Sequence, residues 1–231
     1  MKQIPITSED FWSTHDAEVI ACRKCTRLVA WREKVAIEKR KAYLKDTYWG
    51  KPVPGFGDHN AQILVVGLAP GAHGSNRTGR MFTGDASGVF LFEHLYRSGF
   101  ASAPRSIDRL DSLQLINMYI TAACRCVPPD NKPNPDEIAN CQPFLMAEFQ
   151  RLPLRGIVAL GRLGYEQSIK LVYPNTPFRN FSAFKHGAVV ETKEGHPWIL
   201  ASYHPSRQNT QTGKLTSEMF ASIWEIARKL L

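Results

Sequence analysis

No stretch of this chain approaches the roughly 18 consecutive apolar residues that a membrane-crossing helix needs, and that absence excludes a helical bilayer span. The opening MKQIPITSEDFW lacks a basic segment followed by an apolar core, so it does not read as a secretory leader. No internal repeat and no low-complexity tract is present, which excludes a solenoid or a compositionally biased linker. The glycine-rich segment GLAPGAHGSN has neither the Gly-Lys-Ser/Thr of a P-loop nor the GxGxxG of a dinucleotide fold, which disfavours a phosphate-binding enzyme of either kind. Cysteine is scarce: five residues in 231 cannot all pair, so reduced thiols and a cytoplasmic location are expected.

Four of those cysteines are the most informative feature present. Cys22-x2-Cys25 lies near the start, and Cys126-x14-Cys141 lies about a hundred residues later. An x2 spacing lets one tight turn aim two sulfurs at one centre, and two distant half-sites mean that the chain closes on a metal or cluster. Four thiolates fit either an all-cysteine zinc site or an iron-sulfur cluster, and spacing alone does not decide between them. Cys124 reads as a small buried apolar residue, its exchange with Cys126 being the alternative.

Hydrophobic residues make up 43% of the chain, enough to fill the core of a single domain spanning 1–231. The net charge of +8 favours a polyanionic partner through phosphate neutralisation. Ten Lys or Arg fall between residues 23 and 51, a run that suits either a DNA backbone or a solvated helix face. Tyr48 and Trp49 beside it are expected to pack. A soluble monomer without membrane association is expected.

Short apolar runs bounded by turn residues at 61–70, 114–123, 156–161 and 198–205 read as buried strands. Helical patterns lie at 88–100, 135–152, 161–172 and 216–231. Alternation of the two predicts an α/β fold in three layers, α/β/α, with a central, mostly parallel four-stranded sheet. Function in such a fold sits beyond the carboxyl ends of the strands. The loop 67–85 is rich in glycine and small polar residues, which lets backbone amides of Gly67, Ala69 and Gly71 lie against a ligand. Phe82 near its end is a platform for a flat ring or, more plainly, a core residue. The last loop gathers His204, Ser206, Arg207, Gln208, Asn209 and Lys214, a composition suited to phosphate contacts or to a solvated polar turn.

The order Cys-x2-Cys, GLAPGAHGSNRTGRMFTGDASG after a strand, YITAACRCVPPDNKPNPDE with a closing Cys141, IVALGRLG, and YHPSRQNTQTGKLT resembles an iron-sulfur uracil-DNA glycosylase. It is more similar to the fifth family of that superfamily than to the fourth, in register from about Cys22 to Leu215. The resemblance implies hydrolysis of the N-glycosidic bond of uracil extruded from DNA, and a 4Fe-4S cluster on Cys22, Cys25, Cys126 and Cys141. It implies that Phe82 stacks on the flipped base and that His204 donates to uracil O2 as charge grows there. The cluster's role is expected to be structural, holding the strand end that aims Asn131.

The sequence also departs from better-known branches. Where the first family has an Asp and the fourth a Glu, GLAPG carries Leu68 and Ala69; where the fourth has a uracil-reading Asn, Ala122 stands. Asp85 in TGDASG is the replacement carboxylate expected to activate water or stabilise the sugar cation, with a helix N-cap as the plainer role. Asn131 in PPDNKP is the replacement amide for base contact, with a turn residue as the plainer role. A pocket with fewer polar readers rejects analogues less strongly, so excision of hypoxanthine, xanthine or other deaminated bases is expected alongside uracil. The duplex-wedging residue is expected between Arg207 and Lys214. A non-catalytic, metal-stabilised nucleic-acid-binding module is the competing reading, and it leaves the glycine-rich loop, Asp85 and His204 without a role.

Overall fold

A computed structural model of the chain describes residues 8–181, 183–190 and 195–231. Six strands make one sheet: β1 (Phe56–Gly57), β2 (Ile63–Gly67), β3 (Met118–Ala122), β4 (Gly156–Leu160), β5 (Val189–Val190) and β6 (Trp198–Ser202), in the order β1-β3-β2-β4-β6-β5. The four expected strands are the four long ones, mutually parallel, with Val65 opposite both Ile120 and Val158. The two-residue strands β1 and β5 add antiparallel edges, extending the sheet from four strands to six. Two residues each, Phe56–Gly57 and Val189–Val190, carry too little pattern to announce themselves.

Around the sheet lie α-helices α1 (Ser8–Ala21), α2 (Thr26–Glu38), α3 (Ser75–Thr78), α4 (Ala86–Arg97), α5 (Pro135–Arg151), α6 (Arg162–Val172), α7 (Arg207–Gln211) and α8 (Ser217–Lys229). Every residue of the four long strands is buried, which is why each reads as a continuous apolar run. Alternate side chains serve opposite faces: Ile63 and Val65 join a core with Leu91, Phe92 and Leu95 of α4 and Phe220, Ile223 and Trp224 of α8. Leu64 and Val66 join a second core with Trp12 of α1, Leu145 of α5, and Tyr165 and Ile169 of α6. Phe220, Ile223, Trp224 and Ala227 follow the i, i+3, i+4, i+7 spacing of one helix face. Three layers with the sheet between two cores result.

Parallel β2, β4 and β6 point their carboxyl ends the same way, so the loops after them, 67–85, the turn at Gly161 and 203–206, meet on one side. The β2–β3 ladder continues into those loops, with Ala123 N–H donating to Gly67 O and Cys124 N–H to Leu68 O, both at 3.0 Å. That extension fixes the start of the glycine-rich loop relative to the cysteine loop.

Candidate active site and cysteine cavity

Phe82 sits at φ +53°, a left-handed conformation that costs a bulky residue energy and is held only when neighbours over-determine it. Those neighbours are visible. Thr83 Oγ1 lies 2.7 Å from Ser106 Oγ, Thr78 Oγ1 donates to Thr83 O at 3.0 Å, and Arg80 pairs with Asp111 while stacking over Phe56. The ring of Phe82 is pressed against Gly67, where an added Cβ would lie 2.9 Å from Phe82 Cζ. Across from it stands His204 after β6, ring centroids 5.7 Å apart and planes at 29°. Phe82 is therefore a core residue, 9% exposed, whose ring also stacks against His204.

His204 is held from behind by Asn209, whose Nδ2 donates to His204 O at 2.8 Å. Burial lowers the pKa of its imidazole to about 4, so the ring is neutral at physiological pH. A neutral imidazole still donates one N–H.

Asp85 caps α4, with Gly88 N–H donating to Oδ1 at 3.0 Å, so the plainer role is realised. The second oxygen does something else. Oδ2 lies over the backbone of the glycine-rich loop, where a Cβ built on Gly71 would sit 2.8 Å from it and one on Gly74 2.1 Å. GAHG is glycine at both places because the carboxylate occupies the space. Burial raises the pKa of Asp85, opposed by the backbone N–H groups of Gly88 and Ser87 and by Arg77. Arg77 also stitches the two arms of the loop together, donating from Nε to His73 O at 2.8 Å and from Nη2 to Gly84 O at 2.9 Å, with Asp46 on Nη1. The amides of Ala69 and Gly71 make no backbone hydrogen bond among the described residues, so both remain available as donors.

Asn131 lies in a 3-10 turn, Pro129–Asn131, with itself and Asp130 at positive φ, and its side chain is exposed. No hydrogen bond among the described residues joins it to Phe82, His204 or Asp85. Ala122, where a polar reader stands in the fourth family, is 1% exposed at the end of β3. Ser206 caps α7 by accepting from Asn209 N at 3.3 Å, so Ser206 and Asn209 have jobs inside the loop. Arg207, Gln208 and Lys214 are exposed, with Lys214 Nζ 5.2 Å from the centre of the Tyr203 ring. The basic run 23–51 is partly consumed internally: Arg23 pairs with Glu33, and Arg27 with Glu137. Tyr48 is buried with its hydroxyl 3.0 Å from His73 Nδ1, and Trp49 Nε1 donates to Pro52 O, so both pack as expected.

Cys22, Cys25, Cys126 and Cys141 line one cavity with Leu28, Val29, Arg32, Pro52 and Phe144. Arg32 Nη1 donates to Cys126 Sγ at 2.9 Å and Asn140 Nδ2 to Cys25 Sγ at 3.5 Å. Among the described residues no three His, Cys, Asp or Glu side chains converge as a site for a single metal ion. Four cysteines around one space are the donor set that either an all-cysteine metal site or an iron-sulfur cluster uses. Cys124 is fully buried and absent from the cavity lining, its thiol against Cys141. Beneath this loop Arg125 and Glu148 form a buried ion pair at 2.6 Å; Glu148 also accepts from Thr121 at 2.7 Å and lies 3.3 Å from His15. Arg32, Arg125, Glu148 and Arg77 escaped sequence reasoning, since a long charged residue buried by its partners looks like any surface charge in a sequence.

A family model described as the uracil DNA glycosylase superfamily matches residues 54–228. The chain belongs to the uracil-DNA glycosylase superfamily. It is 49% identical over 217 residues to a type-5 uracil-DNA glycosylase of Thermus thermophilus, covering 91% of this chain and 94% of that one. It is 44% identical over 205 residues to a type-5 enzyme of Pyrobaculum aerophilum, covering 89% and 87%. A type-4 uracil-DNA glycosylase of Sulfurisphaera tokodaii is 29% identical over 217 residues, covering 91% and 82%. Within the superfamily the type-5 resemblance is thus much the stronger.

Proposed function

We infer that this protein is a monofunctional uracil-DNA glycosylase that starts base excision repair by removing uracil from DNA. The observation that carries the reading is the Phe82–His204 contact, with the half-buried carboxylate of Asp85 over the glycine-rich loop that leads to Phe82, in a chain that is similar to type-5 enzymes over nine-tenths of its length.

The extruded base stacks on the ring of Phe82, which Gly67 backs, and the amides of Ala69 and Gly71 bind its edges. The C1′–N1 bond breaks with its electron pair going to the base, whose growing negative charge at O2 receives the N–H of neutral His204. A neutral donor suits this step, because the pocket that lowers the His204 pKa would also charge the protein an energetic cost for an imidazolium. Asp85 Oδ2 faces the positive sugar, stabilises it, and takes the proton of the water whose oxygen bonds to C1′. The products are an abasic site and free base. Asn131 reaches the base from its turn when DNA is bound. Ala122 leaves one face of the pocket without a polar reader, which supports a broader range including hypoxanthine and xanthine. Arg207, Gln208 and Lys214 contact phosphates, with Ser206 and Asn209 shaping the turn.

Cys22, Cys25, Cys126 and Cys141 would hold a 4Fe-4S cluster, which would tie the amino-terminal segment to the loop after β3; glycosidic hydrolysis is itself redox-neutral. The protein acts as a cytoplasmic monomer on nucleoid DNA. Incubation with a duplex carrying one G:U, G:hypoxanthine or G:xanthine pair, followed by alkali, tests the reading. Alkali-dependent cleavage at all three sites is expected, and cleavage at uracil alone would remove the broader specificity.

A further inference from the structure

Arg32 is 2% exposed, yet among the described residues no carboxylate is hydrogen-bonded to it. Glu33 is 4.0 Å away, 41% exposed, and already bonded to Arg23 at 2.5 Å. The guanidinium instead donates from Nη1 to Cys126 Sγ at 2.9 Å and from both terminal nitrogens to Cys22 O at 3.3 Å, while Nε has no partner. A buried cation whose one carboxylate neighbour is distant, exposed and shared with a second arginine is costly, and the cost is removed when further negative charge sits against it. The groups facing it belong to the cysteine cavity, where four thiolates around a cluster would carry net negative charge.

The same residue reaches the other way. Its carbonyl accepts from Asn76 Nδ2 at 3.3 Å; Asn76 is fully buried in α3, and its own carbonyl receives Gly50 N–H at 3.0 Å. Helix α3 is part of the loop whose Gly71 and Gly74 lie under the Asp85 carboxylate. Cluster ligand, arginine and catalytic loop thus form one run of hydrogen bonds.

We propose that Arg32 is a positioning residue: its guanidinium is countercharge and N–H···S donor to the cysteine-held cluster, and that seat fixes the position of its backbone carbonyl, to which Asn76 of the loop carrying Asp85 is bonded. It rests on the cluster reading above. Removing the guanidinium from the loaded protein takes away a hydrogen bond to a ligand sulfur and leaves the cluster charge uncompensated. Removing it from the stripped protein relieves a buried cation that Glu33 compensates only at a distance. The two effects have opposite sign, which a general packing role does not produce.

The test is a four-way comparison of wild type and Arg32→Met, each iron-loaded and chelator-stripped, with Arg32→Lys as the variant that keeps the charge but not the fork. In loaded protein, Arg32→Met is expected to lower the melting temperature and to speed bleaching of the visible cluster band by chelator about 10- to 100-fold, as loss of a residue supporting a metal ligand does. Arg32→Lys is expected in between. Amides of Thr78 and Gly79, bonded to Gly74 and Ser75 carbonyls, are expected to lose hydrogen-exchange protection in loaded Arg32→Met. In stripped protein the same substitution is expected to leave melting unchanged or raise it. Equal destabilisation of both forms, with unchanged bleaching, would overturn the proposal while leaving the cluster in place. Purified wild type without iron or a visible band would instead overturn the cluster reading. If stripped Arg32→Met does not fold, the bleaching rates of the loaded variants decide alone.

Discussion

Replacing Gly71 with alanine moves one oxygen. The new Cβ would stand 2.8 Å from Asp85 Oδ2 and otherwise touch nothing closer than 4.0 Å, so reaching ordinary contact at 3.4 Å pushes that oxygen back by about 0.6 Å. Oδ1, bonded to Gly88 N–H at 3.0 Å, is the pivot, and the cap survives. A displacement near 1 Å at a reacting group costs on the order of 100-fold, so a loss of about 10- to 100-fold in the single-turnover rate of uracil excision is expected, with melting nearly unchanged. Two companions separate cap from chemistry. Asp85→Ala removes both, costing about 1 kcal/mol of cap, or about 2–4 °C at this chain length, together with about 10²- to 10⁴-fold in rate. Asp85→Asn keeps an oxygen for the cap and loses only the charge. Because burial raises the Asp85 pKa, its ionised form opposes folding above that pKa, and Asp85→Asn is expected to match or slightly exceed wild type in stability at neutral pH while losing most activity. Full excision by Gly71→Ala or Asp85→Asn would refute the role of this carboxylate.

His204, with its pKa lowered to about 4 from an ordinary 6.5, leaves the unfolded chain holding more protons between those values, so its contribution to stability falls as pH drops through that window. His204→Ala is expected to flatten that part of the stability profile and to slow excision about 10²- to 10³-fold, and wild-type kcat is expected to show no limb near pH 6.5. Cys126→Ser is expected to abolish iron loading and Cys124→Ser to leave it intact, measured by iron content and visible absorbance, because Cys126 lines the cavity and Cys124 does not. Arg207→Ala and Lys214→Ala are each expected to weaken DNA binding and reduce the slope of log affinity against log salt by about 1, read by fluorescence anisotropy across a salt series.

The parts of this molecule with one dominant cause were legible without coordinates. β2, β3, β4 and β6 are buried on both faces, so apolar runs alone marked them, and α8 displays its core stripe at helical spacing. Cys22, Cys25, Cys126 and Cys141 were legible as a set because metal spacing is rigid, and the structure brings them to one cavity. That the loops after the strands would carry the site was legible from the alternation of strands and helices, whereas the roles of Phe82 and His204 came from the resemblance and their ring contact is seen only in the structure. Residues with two causes were harder. Asp85 is at once a cap and a carboxylate over GAHG, and only the position of Gly74 against Oδ2 separates the two. Ser206 and Asn209 look like phosphate binders by composition but also shape the turn behind His204. Helix α1 was not anticipated, since its polar and apolar residues form no clear stripe and its anchor, Trp12, packs against His59 and Tyr119 from distant segments.

Alkali-revealed strand cleavage of a labelled duplex with a single G:U pair, by iron-loaded wild type and Asp85→Asn side by side, tests the central claim most directly. Cleavage at the uracil only after alkali, by wild type and far more slowly by a variant that melts at the same temperature, is the expected result. Intact duplex with wild type that nonetheless binds it would contradict a catalytic role for the Phe82, Asp85 and His204 site.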